Sequence, residues 1–162
     1  MRMRALTSAE MRLARSVFRE TIPYSRVVIT DITGAGGAPF TLAAPLGDTW
    51  VYALNIGERG YRNAAERRFQ RVFIHEMTHV WQGHHGSRPY SFMINSVLHQ
   101  GLWLAVTGDR GRAYDYTPGQ AWSTYNVEQQ AEIVEHWYAR GMRENDPLYP
   151  YVSQNIRGER RA

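Results

Sequence analysis

Five residues constrain this chain more than any others: His75-Glu76-Met77-Thr78-His79, an H-E-x-x-H motif. The run leading into it, residues 63–73, reads as helix. On a helix, side chains four positions apart stand one above the other, so His75 and His79 can present both imidazoles to one metal ion. Glu76 projects about 100° round from His75 and about 60° from His79, near enough to reach a water on that ion. Two ligands and a general base therefore fit in one helical turn.

The surrounding pattern shows how such a helix is held. Asn63 and Glu66 have the spacing of a capping box at its start, and Gly83 marks its end. Phe69, Val72, Phe73 and Val80 form an apolar side with His75 and His79 at its edge, so the helix is expected to be anchored in a core while its ligands face a cleft. Upstream, Thr7-x-x-Glu10 opens a first helix, Met11, Ala14, Val17 and Phe18 recur at helical spacing, and Thr21-Ile22-Pro23 closes it. Residues 27–30 and 50–55 read as strands, the second expected to form the cleft edge along which an extended substrate pairs. The glycine-rich stretch 34–39 lacks the Gly-Lys-Ser/Thr ending of a phosphate loop and reads as a flexible connection.

Downstream, residues 90–105 are apolar enough for a helix buried on most sides, and 108–119 read as loop. A final helix is expected over 125–140, stopping at Gly141. Pro147 and Pro150 then mark an irregular tail, with 157–162 expected to be mobile. The expected class is α+β: one mainly helical domain over residues 1–162, with a small β-sheet ahead of the motif helix.

Composition enters where the metal needs ligands. The chain has 162 residues and no cysteine, so disulfides and thiolate sites are excluded and any metal must be held by His and carboxylate. The net charge of +4 comes mostly from arginines scattered among acidic residues, without a nucleic-acid-binding motif, and reads as solvated surface. No window approaches the roughly 18 apolar residues of a membrane span. Met1-Arg2-Met3-Arg4-Ala5-Leu6 lacks the apolar core of a signal peptide, so a soluble protein is expected, exported, if at all, by other means.

A catalytic zinc takes three protein ligands and leaves a fourth position to water. Glu128 and Glu132 are four apart on the final helix, so one can bind the metal while the other accepts a hydrogen bond from a ligating His. His85 is a rival third ligand: His75-Glu76-x-x-His79-x-x-Gln82-x-x-His85 has the spacing of a motif in which a glycine turns the chain sharply. Gln82 occupies that glycine's place and argues against His85, although Gly83 beside it offers a shifted turn. His136 lies one turn beyond Glu132 and is a candidate support, while His99 reads as an ordinary helix residue. Tyr114, Tyr116 and Tyr125 are candidates to stabilise an oxyanion, with packing as their default.

The H-E-x-x-H motif followed by Glu128-x-x-x-Glu132 resembles the gluzincin pattern of zinc metallopeptidases. More narrowly, the stretches Leu6-Thr7 through Tyr24-Ser25-Arg26-Val27, His75 to Gln82, and Tyr125 to Ala131 resemble the zincin-like metallopeptidases found with Vgr and Rhs proteins of type VI secretion. The resemblance implies a zincin-like fold, Zn2+ held by His75, His79 and Glu128, and Glu76 as base. The supporting acid of many gluzincins is Asp, and here it is Glu132, which leaves open which glutamate binds the metal. On this reading Glu76 takes a proton from a zinc-polarised water and passes it to the leaving amine of a peptide.

The resemblance further implies a secreted bacterial effector of toxin type, delivered to a target-cell periplasm or cytoplasm. Its partners would be a peptide or protein substrate, a Vgr- or Rhs-type secretion protein and an immunity protein. Hydrolysis of peptidoglycan peptides is the alternative within enzymes. A non-catalytic binding module on the secretion apparatus is the alternative outside them.

Overall fold

The computed structural model describes residues 1–86 and 115–159. Helix α1 (Ser8–Phe18) starts as its sequence dictates: the Thr7 hydroxyl accepts from the Glu10 amide, and the Glu10 carboxylate from the Thr7 amide. That carboxylate has further partners. Fully buried, it accepts two bonds from the Arg4 guanidinium, each 2.7 Å, and one of 2.9 Å from the Ala64 amide. Arg4 also donates to the Tyr61 carbonyl at 2.8 Å. One ion pair, between buried Glu10 and half-buried Arg4, thus joins the N-terminal strand, α1 and the connection around Ala64.

Four strands form one sheet in the order β1-β2-β4-β3: β1 (Met3–Ala5), β2 (Val27–Thr30), β3 (Phe40–Leu46) and β4 (Thr49–Asn55). β2 and β4 run parallel at the centre, and β1 and β3 flank them antiparallel. Alternate residues Val27 and Ile29 on β2, and Tyr52 and Leu54 on β4, are buried, as the two-residue period of a strand places them. β3 was not expected, since Ala43-Ala44-Pro45 has little strand preference. Pairing with β4 imposes it, through a two-residue turn in which Gly47 has φ +58°. Because β4 pairs on both sides, the strand of residues 50–55 is interior. The edge facing the motif helix, among the described residues, is β3.

The motif helix also begins later than expected. Asn63 ends a short α2 (Gly57–Arg62), and α3 runs Gln70–His85 with Phe69 at its cap and no capping side chain. The Glu10 bond to the Ala64 amide explains the delay: it holds the chain beside α1, and Asn63 is left extended. Nor does Gly83 end the helix, which continues until the Gly86 amide meets the Gln82 carbonyl. A single glycine costs about 1 kcal/mol, too little to stop a helix whose buried face continues. Phe73, Ile74, Met77 and Val80 make that face, and Val72 is turned toward solvent.

α4 (Val127–Ala139) is capped by Asn126 and Gln129 in a reciprocal box and packs against α3. The tail is more ordered than its prolines suggest. α5 (Tyr149–Tyr151) runs into a π-helical turn (Val152–Ile156), and Pro150 sits in the first turn, where a missing N–H is harmless. Arg157 donates to the carbonyls of Val17 and Ser16, both at 2.9 Å, and lies over the Trp137 ring. These bonds tie Arg157, the first residue of the tail expected to be mobile, to the end of α1. The α+β class stands as expected. The helix expected over 90–105, with His99, and Tyr114 lie outside the described residues. Among those described, no helix is long and apolar enough to cross a membrane.

Candidate metal centre

α3 and α4 face each other, and the motif lies on the seam. His75 Nε2 is 3.3 Å from Glu128 Oε2, and His79 Nε2 is 3.4 Å from the same oxygen. The ligand atoms of His75, His79 and Glu128 all lie within 4.8 Å of one another, and all three residues are buried. Two nitrogens and one carboxylate oxygen converging from two helices are donors of the kind that a catalytic zinc takes from a protein. The residues fit the metal.

Glu76 leaves α3 on another side, toward the sheet. Its carboxylate accepts a 2.7 Å bond from the hydroxyl of Thr41 on β3, and both residues are buried. The base candidate is thus held by the edge strand while the ligands face α4, the division that 100° per residue requires.

The outer nitrogens of both imidazoles are engaged. His75 Nδ1 is 3.2 Å from Glu135 Oε2 and 3.8 Å from Glu132 Oε1. Glu135 is also gripped by Arg71 at 2.7 Å, and the other oxygen of Glu132 lies 3.0 Å from His136 Nε2. The support expected of Glu132 is given more closely by Glu135, which the sequence reading missed. The signal was present: at 100° per residue, Glu135 returns to within about 20° of Glu128, against about 40° for Glu132. His75, Glu132 and Glu135 form a second close group, but Arg71 and His136 already take up its carboxylates.

The remaining candidates lie elsewhere. His85 directs Nε2 to the Thr21 carbonyl at 2.8 Å and stacks on Trp81, so the structure does not bring it to the group. The Tyr116 hydroxyl bonds His136 Nδ1 at 2.8 Å. Tyr125 donates to the Thr117 carbonyl at 2.7 Å.

Electrostatics follow from this crowding. Burial opposes a charge on His75, but the carboxylates of Glu128 and Glu135 outweigh it and raise its pKa to about 10. His79 is likewise raised against burial, by Glu128. Glu128 is resisted by burial yet held well below the usual carboxylate range by His79 and His75. Were a metal to bind here, the imidazoles would have to give up the protons that these raised pKa values favour. If the group binds zinc, its affinity is expected to rise about tenfold per pH unit for each proton displaced, from pH 6 toward pH 8. Chelator competition at pH 6, 7 and 8 checks this, and an affinity flat with pH would contradict it.

No protein-family model matches the sequence. Over 144 residues, 83% of the chain, it is 35% identical to the type VI secretion system spike protein VgrG2b of Pseudomonas aeruginosa. The chain spans only 13% of that protein's length. The solved effector domain of VgrG2b matches in fold as well, with a TM-score of 0.60 and 29% identity, covering 94% of this chain and 81% of that domain. The likeness in sequence and fold makes the two homologous. The resemblance to Vgr-associated effectors read from the sequence is met in this form.

Proposed function

We propose that this chain is a zinc-dependent peptide hydrolase deployed as a type VI secretion effector. The observation that carries the chemistry is the convergence of His75, His79 and Glu128 within 4.8 Å, beside a buried Glu76 held by Thr41. Zinc bound there would supply Lewis acidity, bringing the pKa of a water toward neutrality. Glu76 would take that water's proton and return it to the leaving amine. Thr41 holds the Glu76 carboxylate in one rotamer, and Glu135 and Gln82 hold the two imidazoles. Likeness to the effector domain of a spike protein supports delivery by the same kind of apparatus, with a Vgr-type protein as partner.

The first experiment is metal analysis. The wild type and Glu132→Ala are expected to purify with about one zinc per chain, and Glu128→Ala to lose it, because catalytic sites use three protein ligands. Digestion of peptide and peptidoglycan substrates then separates the two hydrolytic targets. A wild type that contains no zinc, and gains no activity when zinc is supplied, would sink the reading.

A further inference from the structure

Gln82 breaks the glycine spacing that would have brought His85 to the metal, yet it is buried and every polar atom of its side chain is engaged. Its Nε2 donates to the Val127 carbonyl and to Gln130 Oε1, both at 2.9 Å. Gln130 Nε2 in turn donates to the carbonyls of Trp122 and Tyr125, at 3.1 and 3.3 Å. Backbone carbonyls can only accept, so these contacts dictate which way each amide faces. Both NH2 groups must point to carbonyls. Gln130 Oε1 then faces Gln82, and Gln82 Oε1 faces His79 Nδ1 at 2.8 Å. An amide oxygen cannot donate. The proton between them belongs to His79 Nδ1, and the lone pair of the neutral ring is left on Nε2, the atom turned to Glu128.

We propose that Gln82 is a positioning residue that fixes the tautomer of His79, through an amide chain anchored on the main chain of Trp122, Tyr125 and Val127. The inference rests on the metal reading above and deepens it. Because Val127 precedes Glu128, one side chain orients the second imidazole and holds the backbone beside the third ligand. The two imidazoles also differ in kind. His75 leans on a carboxylate, which makes an imidazole a stronger donor, whereas His79 leans on a neutral amide. The segment before α4 thereby reaches the metal centre without touching it.

The test compares the wild-type chain with Gln82→Met and Gln82→Glu, all titrated with zinc by chelator competition. Each zinc-loaded protein is also studied by long-range proton–nitrogen NMR of the histidine rings. The wild type is expected to show His79 protonated at Nδ1, protected from exchange, with Nε2 on zinc. Gln82→Met, nearly isosteric but with only a weakly accepting thioether and no donor, is expected to bind zinc about 10–100-fold more weakly and to lose that protection. Gln82→Glu keeps an acceptor and is expected to retain the Nδ1 proton, with affinity closer to wild type than that of Gln82→Met. A folded Gln82→Met with affinity within about twofold of wild type would overturn the proposal. So would wild-type His79 bound through Nδ1, an outcome that decides the matter even if Gln82→Met does not fold. If the wild type takes no zinc, the metal reading fails. The tautomer is then read in the zinc-free protein at a pH where His79 is neutral, and a proton on Nε2 would overturn the inference.

Discussion

Replacing Glu76 by glutamine is expected to lower peptide hydrolysis by about two to four orders of magnitude while leaving zinc content unchanged. The separation follows from geometry. Glu76 projects toward Thr41 and the sheet, and the three proposed ligands, His75, His79 and Glu128, converge between α3 and α4. Glutamine keeps the size of the side chain and can still accept from the Thr41 hydroxyl, so the packing of two buried residues is preserved. It cannot take a proton at neutral pH. The measurement is a pair: zinc per chain by elemental analysis and turnover of a peptide substrate on the same preparation. Retained activity would remove Glu76 from the chemistry, and lost zinc would move it among the ligands.

The largest stability effect is expected far from the metal, at Glu10. Glu10→Ala is expected to destabilise the fold by about 3 kcal/mol at pH 7, the low end of the range for breaking a buried ion pair, since the stranded Arg4 is only half-buried. Arg4 would keep only the Tyr61 and Ala5 carbonyls, and the Ala64 amide would lose its acceptor. The pH dependence has a definite sign. Burial opposes the charge on Glu10, but Arg4 and the amides of Thr7 and Ala64 overcome it, so its pKa lies below the model-peptide value of 4.5. A depressed carboxylate contributes stability above its unfolded pKa and loses it as pH falls through the folded one. The gap between wild type and Glu10→Ala should therefore close in acid, below about pH 4.5. Urea unfolding at pH 7 and pH 3 measures it. Replacing Arg4 and Glu10 together by leucine is expected to recover part of the loss, since an apolar pair leaves no charge buried. A gap under about 0.5 kcal/mol at pH 7 would show that the pair contributes little.

Where the sequence spoke locally, it spoke well. Thr7 and Glu10 cap α1 as their spacing requires, and the period of α3 carries His75 and His79 to one side. The failures lie where distant contacts decide. Asn63-x-x-Glu66 has the form of a helix start, but an acceptor on α1 takes the Ala64 amide and the helix waits until Gln70. Phe40–Leu46 has weak strand preference and becomes a strand because β4 offers it a ladder. Thr41 could not be linked to Glu76 without that strand. The four-residue spacing of Glu128 and Glu132 masks Glu135, although a seven-residue spacing returns more nearly to the same face. Gln82 was read only as a missing glycine. Its role needs Val127 and Gln130 beside it, and only the packing of α4 on α3 supplies them.

That packing has a thermodynamic side. His75 and Glu128 stand 53 positions apart in a chain without cysteine. A metal bridging them, as proposed, would act as a reversible cross-link, closing a loop whose entropy a disulfide of similar span would cut by on the order of 4 kcal/mol. Unlike a disulfide, it is indifferent to redox poise and obeys mass action in the surrounding ion. With zinc bound as proposed, the α3–α4 seam would be a fastening that tightens or loosens with the supply of that ion.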